Sequence, residues 1–501
     1  MFVDSKNIKN DYEIVIIGGG ISGLSLARKL EEIGEKKVLI VESGNKKFDP
    51  KINSRSYGTS NNLGNWPVKN YSSYYSRLRL FGGNAHIWGG WCMELDEYDY
   101  ENNKVWAYYK QDLKNEYKNA YKLLNIEQPK INIHNFRNPN LSPYYINIAQ
   151  GNFIKESEQI LLTSKNIDIL INAELKKINF KENKISSIEI QTNATSLKKI
   201  YVKNLVLSAG GLENTKILLQ TLPKELSNEN LGKFFMEHPQ IPVGRLETTN
   251  KQFINFLKKF SPPTVKHLFN DKLELDSKKY FSGFINQNSS ARGYFVLRST
   301  NVYQSKSLYR LRHIILTRSF SSIGVIKLND IFLLIRDIFH MFYKKIQNFL
   351  TRNKSYYIVV HLEQFPNKEN CVYLDENDNL VLNWKIQKED LDNFKRLLTD
   401  LNQIINESEE SNLVLKQELN QDNSSVLEYL NSNLFGIGHH MGTTRIGENP
   451  STSVCDFEFK IHNTENLYIN SSSLFPSGGI ANPTLTLIAL SSLLAKRLNY
   501  E

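Results

Sequence analysis

The alternation of apolar and polar positions is sharpest near the amino terminus. Residues 13–17 read EIVII, a short apolar strand, and run directly into Gly18-Gly19-Gly20-Ile21-Ser22-Gly23. Leu24, Ala27 and Leu30 then recur at helical spacing as far as Ile33, and residues 37–41 form a second apolar run that stops at Glu42. The pattern predicts strand, glycine turn, helix, strand, acid. A later apolar run, Leu205-Val206-Leu207, again leads through Ser208-Ala209-Gly210-Gly211 into a helical pattern. Near the end, Pro483 and Thr484 open a predicted helix through Leu487, Leu490 and Leu494. No uninterrupted apolar run approaches the roughly 18 residues that span a bilayer. The first ten residues are polar and mixed in charge, so no secretory leader is expected.

Each part of the first unit has a physical task. Gly18 permits a tight turn, Gly20 lets the backbone approach a pyrophosphate, and Gly23 lets helix and strand pack closely. The helix opening at Ile21 and Ser22 offers unpaired N–H groups to phosphate. Glu42 is placed to accept hydrogen bonds from ribose hydroxyls, with Ser43 beside it. The unit predicts a dinucleotide site and does not by itself separate FAD from NAD.

At 501 residues the chain can hold two or three domains, each with its own core. Its net charge of +10 is unevenly spread. Residues 301–354 carry ten Lys/Arg against two Asp, a local balance of +8, together with apolar runs such as Ile331-Phe332-Leu333-Leu334-Ile335. That combination points away from nucleic acid. It suggests a membrane-surface or protein-docking patch, or else a cap helix over a substrate cleft whose basic face is merely solvated. Cys92, Cys371 and Cys455 are far apart, which predicts no disulfide framework, zinc site or thiol redox centre, and no metal is expected. The expected setting is cytoplasmic, either free or peripheral on the inner face of the membrane.

Three further stretches carry a family likeness. They are Phe81-Gly82-Gly83-Asn84-Ala85-His86-Ile87-Trp88-Gly89-Gly90-Trp91, then residues 205–215, and then the run from Gly438 to Leu490. The last includes His439-His440-Met441-Gly442-Thr443-Thr444, Asn466-Leu467-Tyr468-Ile469 and Ala481-Asn482-Pro483-Thr484. Together they resemble the glucose–methanol–choline (GMC) oxidoreductases, on the bacterial branch near pyranose oxidase. Glu363-Gln364, Pro366-Asn367 and Val372-Tyr373-Leu374, read as a strand of a substrate domain, resemble that branch too.

The resemblance implies an α/β FAD-binding Rossmann-like domain, in the arrangement of p-hydroxybenzoate hydroxylase, with an interleaved α+β substrate domain. The expected division is 1–240 with 430–501 for FAD, and 241–429 for substrate, including a cap at 301–354. FAD contacts are expected from Gly18, Gly20, Ile21, Ser22, Gly23, Glu42, Ser43, Gly82, Gly83, Asn84, His86, Ala209, Gly210, Ser472, Asn482, Pro483 and Thr484. Some relatives attach FAD through a histidine of the Gly82-Gly83 loop. Ile87 holds that place here and His86 lies one residue early, which predicts non-covalent FAD.

The implied reaction oxidises a CH–OH group of a sugar or other alcohol, with the hydride passing to flavin N5 and the electrons to a quinone, a carrier or dioxygen. His439 is then the base, and Asn482 holds the substrate oxygen. On extended chain only one of His439 and His440 can face the flavin, and spacing favours His439. His238, in Met236-Glu237-His238-Pro239, is expected to be structural. An oxidase releasing hydrogen peroxide and an FAD-containing lyase without net redox are the alternatives.

Overall fold

The computed structural model describes the chain except at 5, 35, 57, 61–75, 128–140, 193–195, 251–279, 287–288, 299–331, scattered positions between 333 and 353, 409 and 501. Most of the expected cap at 301–354 therefore lies outside the described residues.

The opening unit forms as its pattern predicts. Asp11–Ile17 is a strand whose last four residues are buried, Ile21–Ile33 is a helix, and Val38–Val41 is a fully buried strand. Leu24, Ala27 and Leu30 turn inward, and the apolar stripe packs the helix on the sheet. These strands pair in parallel with each other. Ile167–Leu170 extends the sheet in parallel on one side. On the other, Ser196–Leu207 pairs in parallel with Asp11–Ile17 and then with Leu467–Ile469. Lys184–Thr192 and Ala173–Lys181 add antiparallel strands at that edge. The carboxy-terminal helix Pro483–Tyr500 packs against Ile21–Ile33, so both ends of the chain build one layer.

A second sheet runs in the order Ser411–Leu415, Gln240–Thr248, Lys354–Leu362, Gly293–Arg298, Tyr280–Asn286, Leu141–Ile148, Trp91–Cys92. It is antiparallel throughout and has its own core with the amphipathic helix Lys388–Asn406. Trp91–Cys92 and Leu141–Ile148 come from within 1–240, so strand pairing crosses the expected division at 240. Glu363 and Gln364 lie past the end of Lys354–Leu362 rather than within a strand. Only Cys371–Leu374 of that stretch is extended, in a small sheet with Leu380–Asn383. Pro366 and Asn367 suit a connection, since proline cannot donate to a ladder.

Candidate active site

The glycine turn, the end of Ser196–Leu207 and the start of Pro483–Tyr500 meet around a cavity of about 1360 Å³. Of the residues the sequence singled out, Gly18, Gly20, Ile21, Ser22, Glu42, Ser43, Gly83, Asn84, Ala209, Gly210, Ser472, Pro483 and Thr484 line it. Gly18 has φ +108°, and a Cβ there would lie 2.6 Å from the Ser208 carbonyl oxygen. A Cβ on Gly20 would meet nothing within 4 Å, because that position opens onto the cavity. Gly23 is not in the wall. Its missing Cβ would sit 2.0 Å from the Gly18 oxygen, so it serves packing, as predicted.

The helix Ile21–Ile33 begins at Gly20 with no side-chain cap, leaving first-turn N–H groups for an anion. Glu42 is buried and accepts from Gly19 N at 2.8 Å and Gly44 N at 2.6 Å. Burial pushes its carboxyl above the usual range, and those N–H groups oppose the shift. Arg77 and Arg79, two wall residues the motif reading passed over, clasp Glu213 at 3.2 and 2.5 Å. Their alternation in Arg77-Leu78-Arg79 just before Phe81-Gly82 was the available signal. Ser208 Oγ and Arg79 Nε are buried in the wall without a hydrogen-bond partner among the described residues. An uncapped helix start, an open Gly20, a buried acid and polar atoms awaiting partners fit the groups of a dinucleotide.

Several expected contacts fall elsewhere. Gly82 is outside the wall, where a Cβ would meet Ile154 at 2.7 Å. Asn84 reaches the cavity, but its amide is spent on Leu78 N and Ser76 O, which hold the preceding loop. His86 also lies outside the wall, with Nε2 2.9 Å from the carbonyl of Phe81. Asn482 is buried immediately before Pro483, and neither lines this cavity nor hydrogen-bonds a described residue.

The histidines are placed by one short pairing. Met236 and Met441 form an antiparallel bridge through reciprocal backbone hydrogen bonds of 3.0 Å. Two residues on from Met236 is His238, and two back from Met441 is His439, so the register sets them opposite each other. Glu237 secures the pairing, accepting from Gly438 N at 2.8 Å and His439 N at 2.7 Å. His439 and His440 both line the cavity. The chain there is outside any strand, so strict alternation does not apply, and Ser472 Oγ holds the His440 carbonyl at 2.8 Å.

His238, expected to be structural, sits against His439. Its Nε2 lies 2.8 Å from the Gly479 carbonyl and its Nδ1 lies 3.0 Å from Nδ1 of His439. A carbonyl only accepts, so His238 carries its proton on Nε2. Burial lowers its pKa to about 4, so at neutral pH Nδ1 is bare. The bond at 3.0 Å then requires the proton on His439 Nδ1, which leaves His439 Nε2 with a free lone pair. Burial, followed by the neighbouring histidines, holds His439 well below the usual range, so it is neutral too.

The Gly479 peptide is fixed in turn. Its N–H donates to Glu363 at 3.0 Å, and Glu363 accepts from Arg292 Nε at 2.7 Å. Arg292 also reaches Asp96 and Asp99, each at 2.8 Å. Burial, then mutual repulsion, pushes Asp99 upward against the pull of Arg292. This buried ion cluster ties the second sheet to the segment that orients His238.

Comparison with known proteins bears on this arrangement. Residues 366–491 match the family model described as GMC oxidoreductase. A stretch of 55 residues is 42% identical to pyranose 2-oxidase from Tricholoma matsutake, covering 11% of this chain and only 10% of that protein. Similar solved structures include pyridoxine 4-oxidase from Mesorbium loti, with a TM-score of 0.60 and 14% identity over 98% of this chain and 99% of that one. An FAD-dependent oxidoreductase from Chaetomium thermophilum gives 0.59 and 15% identity over 97% and 98%. A fungal aryl-alcohol oxidase gives 0.59 and 13% over 98% and 99%. The shared fold runs nearly the whole length of the chain. Together the matched carboxy-terminal domain and this fold support an FAD-dependent oxidoreductase acting on CH–OH donors.

Proposed function

We propose that the protein oxidises an alcohol of a sugar or another small molecule to the carbonyl, using non-covalently held FAD and His439 as base. The observation that carries this is the 3.0 Å contact between Nδ1 of His238 and Nδ1 of His439, which leaves Nε2 of that cavity-lining residue to act as base beside the dinucleotide-type wall. FAD would be held by the Gly18–Ser22 turn, Glu42, Gly83 and Asn84, Ala209 and Gly210, Ser472, and the helix start at Pro483 and Thr484. When bound, it supplies the two-electron acceptor for the C–H bond being oxidised.

The chain's own part is proton management. His439 Nε2 takes the substrate hydroxyl proton, and the resulting imidazolium keeps its Nδ1–H bond to His238. The first-turn N–H groups of Pro483–Tyr500, after Pro483 itself, favour negative charge in front of them. Asn482 is proposed to orient the substrate oxygen from its place before that helix. The engagement of His86 with the Phe81 carbonyl supports non-covalent attachment.

The expected division of labour, 1–240 with 430–501 around the cofactor and 241–429 around the substrate, belongs to the same proposal. A quinone or other carrier is the proposed acceptor. Dioxygen is the second reading, favoured because several similar proteins are named as oxidases. A screen of sugars and primary and secondary alcohols with an artificial acceptor, scored by carbonyl product, tests the reading. Product formation that survives His439→Ala unchanged would refute it. Reoxidation by air much slower than turnover with a quinone would exclude the oxidase form.

A further inference from the structure

Helical residues between 332 and 350 hold a row of large apolar side chains in solvent: Phe332, Ile335, Phe339, Phe342, Ile346 and Leu350, with Tyr343 beside them. Phe332, Phe339 and Leu350 are 70%, 71% and 74% exposed. At about 100° per residue these positions fall within one stripe roughly 100° wide. Isolated exposed apolar residues are ordinary, but a contiguous stripe marks a surface that something covers.

Charge identifies the occupant. Arg336 is exposed and falls at the edge of the stripe. In sequence, residues 332–350 carry Arg336, Lys344 and Lys345 against Asp337, and the longer segment 301–354 holds +8 of the chain's net +10. A second copy of the chain would bring that excess against itself. A nucleic acid would answer the charge and leave the apolar stripe in water. An anionic lipid surface answers both, with apolar side chains below the headgroups and cations among them. Arg336, Asp337, Lys344 and Lys345 interrupt the apolar sequence of 331–350, so the contact proposed is one in the interface plane rather than a crossing.

We infer that the helical face from Phe332 to Leu350 seats the protein on an anionic lipid bilayer. The inference is independent of the catalytic reading, because vesicle binding is measured without turnover. The test floats the FAD-loaded full-length protein with vesicles of phosphatidylcholine alone, or of equal parts phosphatidylcholine and phosphatidylglycerol. Binding to the mixed vesicles should be at least about tenfold stronger and should weaken with added salt. Phe339→Ser combined with Phe342→Ser should cut it by at least about tenfold. Leu197→Ser, at an apolar position 61% exposed on the strand Ser196–Leu207, should leave it unchanged. Absence of flotation with the anionic vesicles overturns the inference, as does flotation of the double variant at the wild-type level. A lipid-free mass measurement showing a dimer that the double substitution splits, without vesicle binding, would assign the face to a second copy instead.

Discussion

Replacing His238 by leucine removes the acceptor that holds the proton on His439 Nδ1 and keeps the bulk of the side chain. The His439 N–H then points at a methyl group inside a buried site. An unsatisfied buried donor costs about 1–3 kcal/mol, a factor of roughly 5–150. That penalty falls on the tautomer whose Nε2 is bare, and the alternative, with Nε2 protonated, cannot act as a base. The turnover number should fall by about 5–150-fold, with little change in the Michaelis constant. His238→Asn is the control, because its amide oxygen can take the place of Nδ1 as acceptor. It should recover activity to within several-fold of wild type. Both variants are measured for flavin content and melting temperature alongside steady-state rates. Equal losses in the leucine and asparagine variants, with flavin content intact, would refute the tautomer argument.

Gly20→Ala and Gly23→Ala separate cradle from scaffold. At Gly20 the φ of −82° suits alanine and the Cβ enters open space, so apoprotein stability should shift by no more than about 1 kcal/mol. FAD affinity by titration calorimetry should drop at least about tenfold, because the methyl fills the pyrophosphate approach. Gly23→Ala should destabilise even the apoprotein, by about 1–3 kcal/mol or more in denaturant titration, since its Cβ would lie 2.0 Å from the Gly18 oxygen. Arg292→Met strands Glu363 and Asp99 as buried carboxylates, and should cost about 3–5 kcal/mol of stability by thermal or denaturant unfolding.

The acid limb of kcat/KM should lie below the ordinary histidine value of about 6.5, because His439 is held low by burial. Stability follows the same sign. The folded pKa of His238, about 4, is below its unfolded value, so between those two the unfolded chain binds more protons. Stability should therefore fall as the pH is lowered from about 6.5 towards 4, measured by denaturant midpoints.

The amino-terminal unit was legible because its information is local. Strand, turn and helix lie within residues 11–33, and each glycine's task follows from the backbone around it. His439 was legible through its motif. Its partner was not, since His238 is 201 residues away and meets it only through the Met236–Met441 register, a single bridge with no apolar repeat to announce it. Arg292 was hidden for the same reason, as Asp96 and Asp99 lie 196 and 193 residues away on one side and Glu363 71 residues away on the other. Glu363 was misread because it directly follows the last ladder residue, Leu362, where the chain leaves the sheet. The Gly82-Gly83 loop showed a different limit. Its composition identified a wall segment, but which atoms face the cavity depends on Ile154 and on the Phe81 carbonyl.

The central claim joins a bound flavin, an alcohol donor and an unprotonated His439 Nε2. Anaerobic rapid mixing of the FAD-loaded protein with sugars and alcohols tests all three together. Loss of the visible flavin absorbance with a wild-type substrate, slowed by at least about a hundredfold in His439→Ala at equal flavin content, is the result predicted. Bleaching at the same rate in both proteins, or no bleaching by any CH–OH donor, would contradict it.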